Sequence, residues 1–155
     1  TELNGSTYID LTGDDRYIAA FRGRIGSILS GDLSDVPPGR RLFAGGGGSV
    51  RGYAERSLGP LDENDDPTGG RSVAEIGVEL RAQVYGDFGV ALFGAAGSVT
   101  EDVVPTFSDG VQTAAGLGLR YYSPLGPIRA DVAVPLNPRD SDDAFQLYFS
   151  IGQAF

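Results

Sequence analysis

Apolar and polar side chains alternate one by one along most of the chain. In GPIRADVAVPL, Ile128, Ala130, Val132, Val134 and Leu136 share one side, and Arg129, Asp131 and Ala133 share the other. VQTAAGLGLRYY sets Thr113, Ala115, Leu117, Leu119 and Tyr121 against Gln112, Gly116, Gly118 and Arg120. FQLYFSIGQAF sets Phe145, Leu147, Phe149, Ile151 and Phe155 against Gln146, Tyr148, Ser150 and Gly152. In VAEIGVELRAQV, Ile76, Val78 and Leu80 oppose Glu75, Glu79 and Arg81; in RYIAAFRGRIGSIL, Tyr17, Phe21 and Ile25 oppose Arg22 and Arg24. A period of two is that of a strand, whose successive side chains point to opposite faces. With FGVALFGAAGSV and a weaker GSTYIDL near the start, the pattern predicts seven strands. Turn signals at Gly13-Asp14-Asp15, Gly86-Asp87 and Ser123-Pro124-Leu125-Gly126 separate them.

Alternation fits two architectures. A soluble sandwich turns its apolar faces inward, whereas a membrane barrel turns them outward to lipid. Two features favour the barrel. Segments near ten to twelve residues match the roughly 9–11 residues of a tilted membrane strand and exceed the ~5–6 of an ordinary one. The polar faces carry arginines, carboxylates and glycines with little lysine, as a barrel interior does, and the apolar faces end in Tyr or Phe in the manner of interfacial girdles. The expected fold is therefore all-β, an antiparallel transmembrane β-barrel or its C-terminal part, over residues 1–155. A long loop at about 31–70 interrupts it. Seven strands fall short of the even numbers, from eight upward, of single-chain bacterial barrels. Either the rest of the barrel lies outside this chain, or an eighth strand hides in the first dozen residues or the long loop and closes a small barrel.

Composition narrows the chemistry. The 155 residues include 24 glycines, no Cys, His, Met or Trp, and a formal charge of −9. Without Cys or His there is no thiol nucleophile, imidazole base or zinc site of the usual kinds. No G-x-S-x-G occurs, so neither an enzyme nor a cofactor is expected. The acidic balance argues against nucleic acid, which rewards clustered Lys and Arg. A chain that starts at Thr1 and lacks methionine reads as a piece of something longer. The acidic runs LDENDDPTGG and NPRDSDD fail the calcium-loop pattern, since Pro67 and Val73 stand where Gly and Glu are needed; no metal site is expected.

The stretch RLFAGGGGSVRGYAERSLGP raises a separate question. A phosphate loop needs a Lys and a following helix, and this segment has neither. Spacing alone leaves a slack glycine linker and a loop with a fixed task both open.

Taken together, RRLFAGGGGSVRGY, GGRSVAEIGVELR, GLGLRYYSPLGPIRADVAVPL and the ending FQLYFSIGQAF resemble the outer-membrane assembly-factor superfamily of BamA and TamA. The glycine-rich arginine loop and the SIGQAF ending lean to the TamA branch. The resemblance implies the last seven strands of a barrel in the bacterial outer membrane. It implies noncovalent help to insertion or translocation, with unfolded outer-membrane proteins and autotransporters as clients, lipid around the barrel and a periplasm-spanning partner protein. Self-association of the fragment is a further expectation. It also implies that Val50, Arg51, Gly52 and Tyr53 fold back into the lumen as a latch, with Arg51 meeting Glu79 and with Glu75 or Asp131 as substitutes. Ala95 stands where many members carry an aspartate. Phe149, Ile151, Gly152 and Phe155 resemble the terminal-strand signal of such barrels.

Overall fold

The computed structural model describes residues 1–107 and 110–152. Seven strands form: β1 (Glu2–Asp10), β2 (Tyr17–Ser27), β3 (Ser72–Tyr85), β4 (Phe88–Thr100), β5 (Gln112–Ser123), β6 (Gly126–Pro135) and β7 (Gln146–Ile151). They make one antiparallel sheet in chain order, β1 through β7. Each strand is joined to the next by a turn or loop at alternate ends. Short turns link β1–β2, β3–β4 and β5–β6, and longer segments link β2–β3, β4–β5 and β6–β7.

The sheet is open, with β1 and β7 as its two edges. An eight-stranded closure is thereby corrected: among the described residues the long loop contributes isolated bridges, not a strand. Closing a barrel needs enough tilted strands to meet edge to edge, and seven do not meet here. The last strand is also shorter than the alternation implied. β7 ends at Ile151, where Gly152 turns the chain with φ 102° and donates its N–H to the Pro127 carbonyl at 2.7 Å. Phe155 lies outside the described residues.

Burial is inverted relative to a water-soluble sheet. Leu92, Leu117, Leu119, Val132, Leu147, Phe149 and Ile151 are exposed on the outer face, Phe149 at 77%. Glu75, Glu79, Arg81, Arg120, Arg129 and Asp131 are buried on the inner face, Glu79 at 1%. Soluble proteins almost never bury such charges while displaying a continuous apolar face. Hydrocarbon outside and paired charges inside reconcile both halves.

The inner face is covered by the β2–β3 loop. Two 3-10 turns, Leu33–Asp35 and Pro38–Arg40, start it, and bridges Leu42↔Gly70, Ala44↔Leu58 and Leu61↔Pro67 fold it into a hairpin-like cover. Its Ala44, Val50, Tyr53 and Leu58 pack with Val73, Ala95, Val99 and Ala114 of the sheet in one apolar cluster. Burying such side chains contributes about 1.5–3 kcal/mol for each large one, which is what a random-coil linker lacks.

Candidate functional site

Strand register brings the inner-face residues into rows. One row runs Glu79, Phe93, Gly116, Ala133 and Gln146 across β3 to β7. The next runs Arg81, Ala91, Gly118, Asp131 and Tyr148. A third includes Arg120 opposite Arg129. Gly116 and Gly118, at the centre of the first two rows, leave a hollow that long side chains fill. Gly118 is needed for this: a Cβ there would collide with Asp131 Oδ1 and the Arg120 guanidinium.

Arg51 enters that hollow from the loop and is 3% exposed. Its Nη1 lies 2.6 Å from Glu79 Oε2 and 3.1 Å from Asp131 Oδ2. Its guanidinium carbon sits 3.7 Å from the Phe93 ring centroid, over the ring face. Glu79 is also engaged by Arg81 Nε at 2.6 Å and Arg120 Nη2 at 3.1 Å. Asp131 pairs with Arg120 Nη1 and, at 2.8 Å, with Arg129 Nη2. Four guanidiniums thus share two carboxylates. Isolated charges in such a site would cost several kcal/mol each, and the mutual pairing offsets that cost. The Phe93 face adds a favourable electrostatic partner for the surplus cation on Arg51.

The loop backbone is shaped to deliver Arg51. Gly52 has φ 125°, a region that favours glycine, and a Cβ there would run into Ala114. Arg22 of β2 donates to the carbonyls of Gly48 and Ser49, and the Ser49 hydroxyl accepts from Gly45 N at 2.8 Å. The glycine run is therefore bound at both ends. On the other flank, the Tyr53 hydroxyl reaches the Thr113 carbonyl at 3.2 Å and Asn137 Oδ1 at 3.1 Å. Farther out, Arg139 donates to the carbonyls of Gly59 (3.1 Å) and Ser57 (2.7 Å) while holding Asp142 at 2.9 Å.

Of the residues singled out from the sequence, Val50, Arg51, Gly52, Tyr53, Glu79 and Asp131 come together. Glu75 does not join them. It lies directly opposite Arg24 in the β2–β3 register and pairs with it at 2.7 Å, and Arg24 also takes Glu2 at 2.9 Å. Cross-strand opposition outweighs nearness in sequence to Glu79. Ala95 has a different neighbourhood from the expected aspartate position: it packs in the apolar cluster with Val50 and Tyr53. Asp131, expected only as a substitute, stands as a second carboxylate beside Glu79. Phe149 and Ile151 face outward on β7.

Arg81, Arg120, Arg129, Phe93 and Tyr148 belong to the site and were not assigned to it from the sequence. Alternation put most of them on the polar face. Their convergence depends on register between strands, which a single strand's pattern does not contain.

The whole chain, residues 1–155, matches the family described as the Omp85 superfamily domain. It is 32% identical over 140 residues to the outer membrane protein assembly factor BamA of Nitratidesulfovibrio vulgaris, covering 86% of this chain and 18% of that protein. BamA of Neisseria meningitidis serogroup B is 27% identical over 158 residues, covering 81% of this chain and 20% of that protein. Among solved structures, BamA from Haemophilus ducreyi lacking POTRA domains 1–3 superposes with a TM-score of 0.70 at 24% identity, over 94% of this chain and 33% of that one. That last likeness concerns the fold. The chain spans about a fifth of the length of these two BamA relatives.

Proposed function

The chain belongs to the Omp85 superfamily, and from that premise we propose that it supplies the C-terminal strands of an outer-membrane barrel that helps other outer-membrane proteins insert. The observation carrying this reading is the inverted sheet whose inner face receives Arg51 between Glu79 and Asp131. The mechanism is noncovalent. An edge strand with free N–H and C=O groups can template an incoming strand through main-chain hydrogen bonds, and lipid surrounds the apolar face.

The partners in this reading are unfolded outer-membrane proteins, membrane lipid and a periplasm-spanning protein. The narrower assignment, to the TamA branch with autotransporters among the clients, rests on AGGGGSVRGY and SIGQAF. The relatives named above carry the BamA name.

The test uses the full-length protein in liposomes with an unfolded client barrel. Client folding faster than in protein-free liposomes, and slowed when the loop is released by Glu79→Gln, is the expected result. Equal rates with and without the protein would remove the proposal.

A further inference from the structure

We infer that Tyr148 is a positioning residue that makes the attachment of edge strand β7 depend on the docked arginine loop. β7 has six residues, against nine to fourteen in the other strands. Among the described residues its sheet neighbour is β6. Its outward side chains Leu147, Phe149 and Ile151 are largely exposed and add little packing within this chain. Within this chain, the β6 ladder and the inner-face contacts are what hold it.

Those inner-face contacts converge on one hydroxyl. Tyr148 Oη accepts a hydrogen bond from Gly52 N at 3.0 Å and donates one to the Tyr53 carbonyl at 2.8 Å. The ring lies against Gly47, where a Cβ would meet Cδ1 at 3.1 Å. Tyr148 is also the register partner of Asp131, and Asp131 takes Arg51 at 3.1 Å. Two facing positions on β6 and β7 thus grip consecutive residues of the same loop tip, one through the Arg51 side chain and one through the Gly52–Tyr53 backbone. A hydroxyl can donate and accept at once; Phe fills the same space and does neither. Arg139, in the segment leading into β7, binds the Ser57 and Gly59 carbonyls of that same loop. Among the described residues, release of the loop tip therefore leaves β7 with its ladder to β6 and the Arg139 tie ahead of the strand, and leaves the strand freer to part from β6.

This inference rests on Arg51 acting as the latch, and its test needs no client protein, so failure of the assembly proposal is read separately. Amide hydrogen exchange is followed in the full-length protein in lipid. Tyr148→Phe should speed exchange across Gln146–Ile151 by about fivefold to tenfold, as loss of two ordinary hydrogen bonds allows, with β3 and β4 unchanged. Arg51→Ala should speed the same amides, and the double variant should go no faster than the faster single. Unchanged β7 exchange in Tyr148→Phe would reduce the tyrosine to a packing role and overturn the inference. So would effects that multiply in the double variant, because two independent supports would then be present.

Discussion

Arg51 and Asp131 are 80 residues apart in sequence and 3.1 Å apart in space. A loop residue and a strand residue far apart in the chain share one buried ion network, and Glu79 completes it at 2.6 Å from the same Arg51 nitrogen. The balance of that network, four guanidiniums on two carboxylates, ranks the consequences of breaking it.

Loss of the cation should be milder than loss of the anion. Arg51→Ala leaves Glu79 with Arg81 and Arg120, and Asp131 with Arg120 and Arg129, so about 1–3 kcal/mol is expected. Glu79→Gln leaves Arg51, Arg81 and Arg120 converging on a neutral amide, and about 3–5 kcal/mol is expected. Denaturant unfolding in detergent, with protease cleavage of the 28–71 loop as a second readout, gives the order.

The charge swap Arg51→Glu with Glu79→Arg should not rescue either single change. Glu at 51 would face Asp131, and Arg at 79 would face Arg81 and Arg120. Like charges at these distances repel. Loop cleavage no slower in the double variant than in Glu79→Arg alone is the expected outcome.

Among the glycines of the loop, position matters more than number. Gly52→Ala meets both a positive φ and the Ala114 methyl group, and should cost about 1–3 kcal/mol. Gly48→Ala meets no atom within 4 Å and should be close to neutral. Loop protease sensitivity compared between the two variants separates a shaped loop from a merely flexible one.

The tie between the outer loops should be acid-sensitive. Burial pushes the Asp142 carboxyl up, but hydrogen bonds from the Arg139 side chain and backbone outweigh it and leave the carboxyl below its ordinary 3.8. A depressed folded value means the stabilisation is fully present above the unfolded value and is lost as pH falls through the folded one. Exchange at Ser57–Gly59 should thus be flat from neutral pH down to about 4 and rise below it, once corrected for intrinsic rates. Asp142→Asn should abolish that rise.

The outer face should tolerate what a core does not and reject what a surface accepts. Leu117, midway along β5, is exposed and joins Leu92 and Val132 in register. Leu117→Arg should cost about 2–4 kcal/mol in lipid, as a cation on the lipid face at mid-bilayer does. Refolding yield into vesicles, compared with Leu117→Val, measures it.

The strands were legible because a half-buried strand writes its two faces into alternate residues, and Ile128–Pro135 does so almost without exception. The long loop was not: its bridges and turns pair residues with no shared period, and only the likeness of SVRGY to a known family pointed Arg51 inward. Glu75 and Glu79 look equivalent on β3, yet Arg24 across the β2–β3 register claims one and the loop claims the other. Tyr148 fell on the polar face, but nothing near it in sequence names residue 52 as its partner. Side-chain direction is local information; register and loop docking are not.

The most direct measurement is the environment of the apolar face in the full-length protein in lipid bilayers. Nitroxides attached through cysteines at Leu92, Leu119 and Val132 would be tested against oxygen and a water-soluble nickel complex. Fast relaxation by oxygen and little response to nickel at all three is the expected result, with the charged residues enclosed on the opposite side. Shielding from both reagents, as between two packed sheets, or free access of nickel, as on a wetted surface, would contradict the account.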